Sequence, residues 1–387
     1  MTAIRDASAN MPRFSLLGGP LYRLGVAAGL VRGRTNTVRM GLAIGLGLWL
    51  VAAVLGVLAG RELFSLDMLG AHVRLLLAIP LMFFAESLID PRLDDFMHVV
   101  VRSRIVPGEA ALLLQQKLAR VTRWKDGWLP DVICLLLAVG FNHIVPYLPI
   151  PGLDSTARAV GVTDLSVAGV WYSVVCLGVL RFLLLRWILR LLLWMHCLWF
   201  LSRLPLRLVP AHADGVAGLG GLEVVHAHFA PLLLSISAVL AASFAVDIAD
   251  GVMALEAVYP AAAAILLLDA LIFVGPLLLF APKLWACKVQ GISDYMVLAE
   301  AYAGGFERKW LRGEGPAEEL LGSSDIQSLA DLTTAVTVVR EQRIVPASPR
   351  MLINLAIVAL VPLAPLVLFK IPLTELAGQI LGRLTGL

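Results

Sequence analysis

Residues 171–203 read WYSVVCLGVLRFLLLRWILRLLLWMHCLWFLSR. This stretch carries four arginines and no acid, and its remaining residues are overwhelmingly apolar. A helix over 168–201 is about 51 Å long at 1.5 Å per residue, against a bilayer hydrocarbon core of about 30 Å. It therefore tilts strongly or projects about four turns beyond the bilayer. Trp187, Trp194, Trp199 and Arg190 set its inner interface near residue 190, because indole and guanidinium groups favour the headgroup region. Such a helix belongs in lipid, and the rest of the chain agrees. Of 387 residues, 59% are hydrophobic and 15% charged, with a mean hydropathy of +0.86. Soluble domains run near 45–50% and 25%.

Seven apolar runs reach spanning length: 39–60, 71–90, 128–148, 168–192, 226–248, 260–283 and 350–370. Lipid offers no partner for open backbone groups, so helices are expected. Charge orients them. The intervals 1–38, 91–127, 202–225 and 284–349 hold 20 Lys and Arg, whereas 61–70, 149–167, 249–259 and 371–387 hold 3. Cytoplasmic loops collect positive charge. The expected fold is an all-α membrane protein with about seven transmembrane helices, a cytoplasmic N-terminus and a small helical cytoplasmic cap. Residues 1–38 form a basic cytoplasmic segment. Six helices occupy 39–283, with an amphipathic cytoplasmic loop at 91–127 broken at Pro107-Gly108. The helical cap covers 284–349, and 350–387 hold the seventh helix and an outer tail. Within the first segment, 13–31 reads as an interfacial helix or as disorder.

Charges inside the spans are the candidate functional residues, since they are costly in lipid. Arg181 lies nine residues below Tyr172 and Asp269 ten below Tyr259. Both belong near mid-membrane, which predicts an Arg181–Asp269 pair serving as a helix clamp or as part of a conduction path. Glu86 and Asp90 lie one turn apart, at a depth where they can pair with Arg186 and Arg190 near the inner interface. Arg181 and Arg190 face opposite ways, so the single arginine stripe of a voltage sensor is absent. His143 is a candidate proton relay or a packing residue. His226 and His228 point about 200° apart and cannot share a metal.

The turn at 212–222 contains His212, Asp214, Gly218, Gly220 and Gly221. Asp214 reads as a helix cap, and the glycines as a turn or an anion or headgroup site. Prolines 80, 231, 276, 282, 362 and 365 interrupt spans, where freed carbonyls can line a cavity. The four cysteines lie in or beside apolar runs and form no CxxC pair, so they read as small packing residues. Ser324-Asp-Ile-Gln327 has the pattern of a capping box opening a helix. No hydrolase, metalloprotease or nucleotide-binding signature occurs; no catalytic residue, metal or cofactor is assigned.

His212-Ala-Asp-Gly through Gly220-Gly-Leu222, Phe306-Glu-Arg-Lys-Trp310 and Gly322-Ser-Ser-Asp-Ile-Gln-Ser-Leu-Ala-Asp-Leu332 together resemble a set of uncharacterised polytopic inner-membrane proteins of bacteria. The resemblance implies a bacterial inner-membrane location and carries no activity. The midplane charges and kinked spans favour a channel or transporter of ions or small solutes, with Arg181, Asp269, Glu86, Arg186 and His143 along the path. The alternative is a membrane signalling or scaffold protein acting through its cytoplasmic helices. A lipid-handling role rests on the 212–222 loop alone. The bilayer, a second copy and a cytoplasmic protein are the expected partners, and nucleic acid is not.

Overall fold

The computed structural model describes residues 13–33, 35–144, 166–313 and 324–369. Among these residues every named element is helical. We number them α1 (Gly19–Ala27), α2 (Val38–Leu58), α3 (Leu69–Arg102), α4 (Gly108–Lys125), α5 (Leu129–Ile144), α6 (Val167–Arg203), α7 (Gly221–Ala249), α8 (Leu255–Leu311), α9 (Ser324–Glu341) and α10 (Pro349–Phe369). Six of them, α2, α3, α6, α7, α8 and α10, are long and apolar enough to cross a membrane. The expected span at 128–148 corresponds to α5, a 16-residue helix whose apolar stretch is shorter than the others.

The bundle is built around α7 and α3, the two spans with the largest buried share of their apolar windows. Helix α7 has small residues along its length, with Ser235, Ser237, Ala238, Ala241, Ala242 and Ser243 all buried. Small side chains let neighbouring backbones approach closely, which is the main source of helix cohesion in lipid. The same logic joins α2 to α3 through Gly41-Leu-Ala-Ile-Gly45. A Cβ at Gly45 would stand 2.3 Å from the Leu75 carbonyl oxygen, so glycine is required there. Buried hydroxyls stitch the layers: Ser235 donates to the Ala78 carbonyl at 3.1 Å, and Ser237 donates to that of Ala359.

Several spans leave regular α geometry; in α10 the stretch Val361–Phe369 is 3₁₀. Residues Val73–Ala78 of α3, Trp171–Cys176 of α6 and Ala270–Val274 of α8 are π-helical, and Gly275–Phe280 of α8 then tightens to 3₁₀ around Pro276. A π turn adds a residue and so rotates everything after it relative to a regular helix.

Helix α3 ends at Arg102, and Pro107 precedes α4, as the Pro107-Gly108 break predicts. Helix α8 runs for 57 residues, about 85 Å. Its last third forms an antiparallel hairpin with α9. Asp325 fastens the hairpin, accepting from Lys309 Nζ at 2.9 Å and Trp310 Nε1 at 3.1 Å.

The N-terminal region differs from both expectations for 13–31, an interfacial helix and disorder. Only Gly19–Ala27 is helical. Residues 13–18 form a non-helical strap with Phe14, Leu16 and Leu17 buried in the bundle. Charged groups on the surrounding helices bond this backbone, which supplies a non-helical alternative to intrahelical pairing.

Candidate functional site

A layer of buried charge lies where α3, α4, α5 and α6 converge. Helix α3 contributes Glu86, Asp90 and Asp94, one turn apart on a common face. Helix α6 contributes Arg186 and Arg190, also one turn apart. Asp131 opens α5, and Lys125 ends α4.

Glu86 and Arg190 form an ion pair with side chains 5% and 6% exposed. Thr37, just ahead of α2, donates to the other Glu86 oxygen at 3.2 Å and to the Phe83 carbonyl at 2.9 Å. The Arg190 guanidinium lies 5.3 Å from the Trp187 ring. Arg186 pairs with Asp131 at 3.1 Å and donates to the Gly18 carbonyl at 2.9 Å. The sequence thus places Glu86 and Arg190 correctly, whereas the partner of Arg186 is Asp131. That acid stands at the very start of its apolar run, where it reads as an interfacial residue.

The remaining charges hold the strap. Asp90 accepts from the Leu16 and Leu17 amides at 2.8 and 3.1 Å and from the Ser15 hydroxyl at 2.8 Å. Asp94 accepts from the Phe14 amide at 3.0 Å. Lys125 donates to the Leu17 carbonyl and, at 2.6 Å, to Asp126. Burial pushes the Lys125 ammonium below its ordinary range, an effect that Asp126 partly opposes. The Phe14 ring meets Trp194, with centroids 6.1 Å apart. At Gly18 the backbone takes φ +148°, and a Cβ there would lie 1.9 Å from Asp126 Oδ1; only glycine passes this point.

Two spaces border the strap. One is a void of about 10 Å³ between Leu16, Leu17, Glu86, Asp90, Trp187 and Arg190, the size of a single water. The other is an open cavity of about 460 Å³ lined by Arg13, Ser15, Tyr22, Asp90, Asp94 and Asp95, among others. Beneath Phe14, Trp194 Nε1 donates to His226 Nε2 at 3.2 Å, and His226 Nδ1 lies 2.6 Å from the Phe273 carbonyl. This bonding assigns a neutral imidazole with its proton on Nδ1. The carbonyl it meets belongs to the π segment of α8.

The expected Arg181–Asp269 pair does not form. Asp269 makes no ion pair with any described residue, and its half-buried carboxylate has an unbonded Oδ2. Arg181 lies within electrostatic range of Arg74 and Tyr172 instead. Arg74, 5% exposed, donates to Tyr172 Oη at 3.0 Å and Ser243 Oγ at 2.8 Å. Counting residues from the interface fixes depth and leaves azimuth open. The π turn at 171–176 rotates Arg181 away from the direction a regular helix would give it. The side chain of His143 lies outside the described residues.

The 212–222 loop closes on its own carboxylate. Asp214 accepts from the amides of Val216, Gly218 and Gly220 at 2.9, 3.1 and 2.8 Å; all three precede Gly221, and α7 has no side-chain cap bond, so Asp214 staples the turn and does not serve as the expected helix cap. Burial alone would raise its pKa; the three amides, helped by His212 at 2.9 Å, outweigh burial and hold it below the usual value. An external anion or headgroup would have to displace this carboxylate. Arg343 ties the loop down, donating from its amide to the Gly215 carbonyl at 2.8 Å and from its guanidinium to Glu223 at 2.7 Å.

Among the described residues, no group of three or more His, Cys, Asp and Glu side chains is placed to hold a metal ion. Compared with protein-family models, curated proteins and solved structures, the chain has no match.

Proposed function

We propose that this chain is a multi-pass membrane protein that passes an ion or small solute, with Glu86, Asp90, Arg186 and Arg190 on its path. One observation carries this reading. Carboxylates and cations from four helices meet around a segment that is not part of any helix, beside an open cavity of about 460 Å³. A structural clamp needs its charges paired with one another. Here Asp90, Asp94 and Lys125 are directed at a strap that closes the layer. Buried ionisable residues that converge on a cavity mark ion and proton pathways in membrane proteins. Asp269, with its unbonded oxygen beside the π segment of α8, is a second candidate on the path.

Seven crossings belong to the same proposal, with α5 as the return crossing between α3 and α6. Parity supports this. Arg74 bonds Tyr172, Glu86 bonds Arg190, and the Ile105 carbonyl accepts from the Arg207 amide at 2.8 Å. These rungs, the last just beyond the two helix ends, run α3 and α6 in the same direction, which supports a return crossing between them. The lysine and arginine distribution supports a cytoplasmic N-terminus, and the family resemblance supports a bacterial inner membrane.

Reconstitution in liposomes tests the transport reading. Flux of a cation, an anion or a small solute is expected above that of empty liposomes, rising when residues 1–18 are deleted. Loss of that flux is expected in Glu86→Gln/Arg190→Gln. Absence of flux from both the full chain and the deletion, each correctly inserted, would sink the reading.

One observation favours a scaffold role instead. The α8–α9 hairpin exposes Val297, Leu298, Leu311 and Ile326 beyond the bundle, and exposed apolar groups of this kind attract protein partners. Deleting 324–341 separates the two readings, because flux survives the deletion only if the hairpin serves another purpose.

A further inference from the structure

The cleft between α3, α4, α5 and α6 contains polypeptide, and its chemistry is that of a peptide-recognition site. Three consecutive kinds of contact define it. Carboxylates face backbone amides, with Asp94 on Phe14 and Asp90 on Leu16 and Leu17. Cations face backbone carbonyls, with Lys125 on Leu17 and Arg186 on Gly18. An aromatic floor of Trp194 and Phe96 receives the Phe14 ring, 1% exposed. Ser15 adds a hydroxyl to Asp90.

We propose that this cleft is an exchangeable binding site for a short bent polypeptide segment, whose resident ligand is the chain's own segment 14–18. Three features favour exchange over permanent packing. Two of the side chains that hold the strap, Asp90 and Asp94, already border the open cavity. The strap has Arg13 at its outer end, exposed and lining that cavity. Its far end is the pair Gly18-Gly19, with φ of +148° and +81°, a joint on which the segment can swing without moving α1. The ligand class is set by the same contacts: a short peptide that bends at the first of a pair of leucine-like residues, with an aromatic residue two positions before that bend, read through its main chain. This holds whether or not a solute crosses the bundle.

A synthetic, fluorescently labelled peptide of residues 11–20 tests the proposal in detergent or nanodiscs. Protein lacking residues 1–18 is expected to bind it saturably. Asp90→Asn in the protein, or Phe14→Ala in the peptide, should weaken binding about tenfold or more, since each removes a charge-assisted bond or the buried anchor. The full-length chain should bind at least about tenfold more weakly, because its own strap competes. A monodisperse truncated protein that shows no saturable binding overturns the proposal. Should the truncation aggregate, the full-length chain decides. Ile89→Cys, 2% exposed beside the strap, should be alkylated about tenfold faster when Ser15→Asp sets a negative charge against Asp90, and added peptide should slow it again. Alkylation that Ser15→Asp leaves unchanged, or that the peptide does not slow, overturns the proposal equally.

Discussion

Glu86 and Arg190 illustrate how much a single partner matters inside the bundle. Each is about one-twentieth exposed, so removing one leaves the other charged in a low-dielectric site. Glu86→Gln is expected to destabilise the folded state by about 3–5 kcal/mol, whereas Glu86→Gln/Arg190→Met should recover most of that loss. Thermal unfolding of the three proteins in one detergent measures it, and a double variant as unstable as the single one would contradict the pairing. The acid at the other functional turn acts through backbone donors. Asp214→Ala removes the acceptor for three amides and should cost about 1–3 kcal/mol. Its folded pKa lies below the ordinary 3.8. Its contribution is therefore complete above the unfolded value and is lost as pH falls through the lowered one. Proteolysis within 212–222 should stay flat between neutrality and about pH 4 and rise only below it, with Asp214→Asn already cleaved at neutral pH. At this scale the sequence is partly legible. Depth along a helix is a count of residues, so Glu86 and Arg190 can be matched in advance. Azimuth is not, because π turns are invisible in the pattern of apolar residues; Arg181 and Asp269 are matched in depth and still do not meet.

Elements were legible in proportion to their length and apolar content. The long spans and the break at Pro107-Gly108 follow from composition and proline chemistry. The strap does not, because five residues bound by side chains from distant helices leave no local periodicity. Phe14, Leu16 and Leu17 followed by Gly18-Gly19-Pro20 is its one trace in the sequence, a short apolar run before a flexible joint. Close contact between α2 and α3 is easier to anticipate from Gly41-x-x-x-Gly45, a small-residue motif. Gly45→Val pushes a branched side chain toward the Leu75 carbonyl, where even a Cβ would lie at 2.3 Å. The expected cost is about 1–3 kcal/mol. Gly47 has open space around its Cβ position, so Gly47→Val is the matched control on the same helix. Unfolding in detergent should separate the two variants clearly; equal midpoints would mean that α2 and α3 do not pack this tightly.

At the scale of the whole molecule the decisive quantity is the parity of crossings between α3 and α6. Both helices descend through the same three levels, marked by Arg74 with Tyr172, Glu86 with Arg190, and Ile105 with Arg207. Two helices that run in the same direction across a bilayer need an odd number of crossings between them. Helix α4 carries charges along its length and lies outside the six membrane-length helices, whereas α5 is apolar. On the proposed seven-crossing reading the return belongs to α5. Single cysteines at Phe64, Val167 and Val252, all well exposed near the starts or ends of spans, should react with a membrane-impermeant maleimide from one side. Cysteines at Ser103 and Arg312 should react from the other. Were α5 to turn back without crossing, position 167 would label with 103. Helix α6 would then end on the side opposite Ile105, and the bond between Arg207 and Ile105 could not exist. A reversed result at position 167 would thus remove both the seventh crossing and the shared depth of the charged layer, whereas the expected one fixes the strap, the basic loops and the α8–α9 hairpin on a single face.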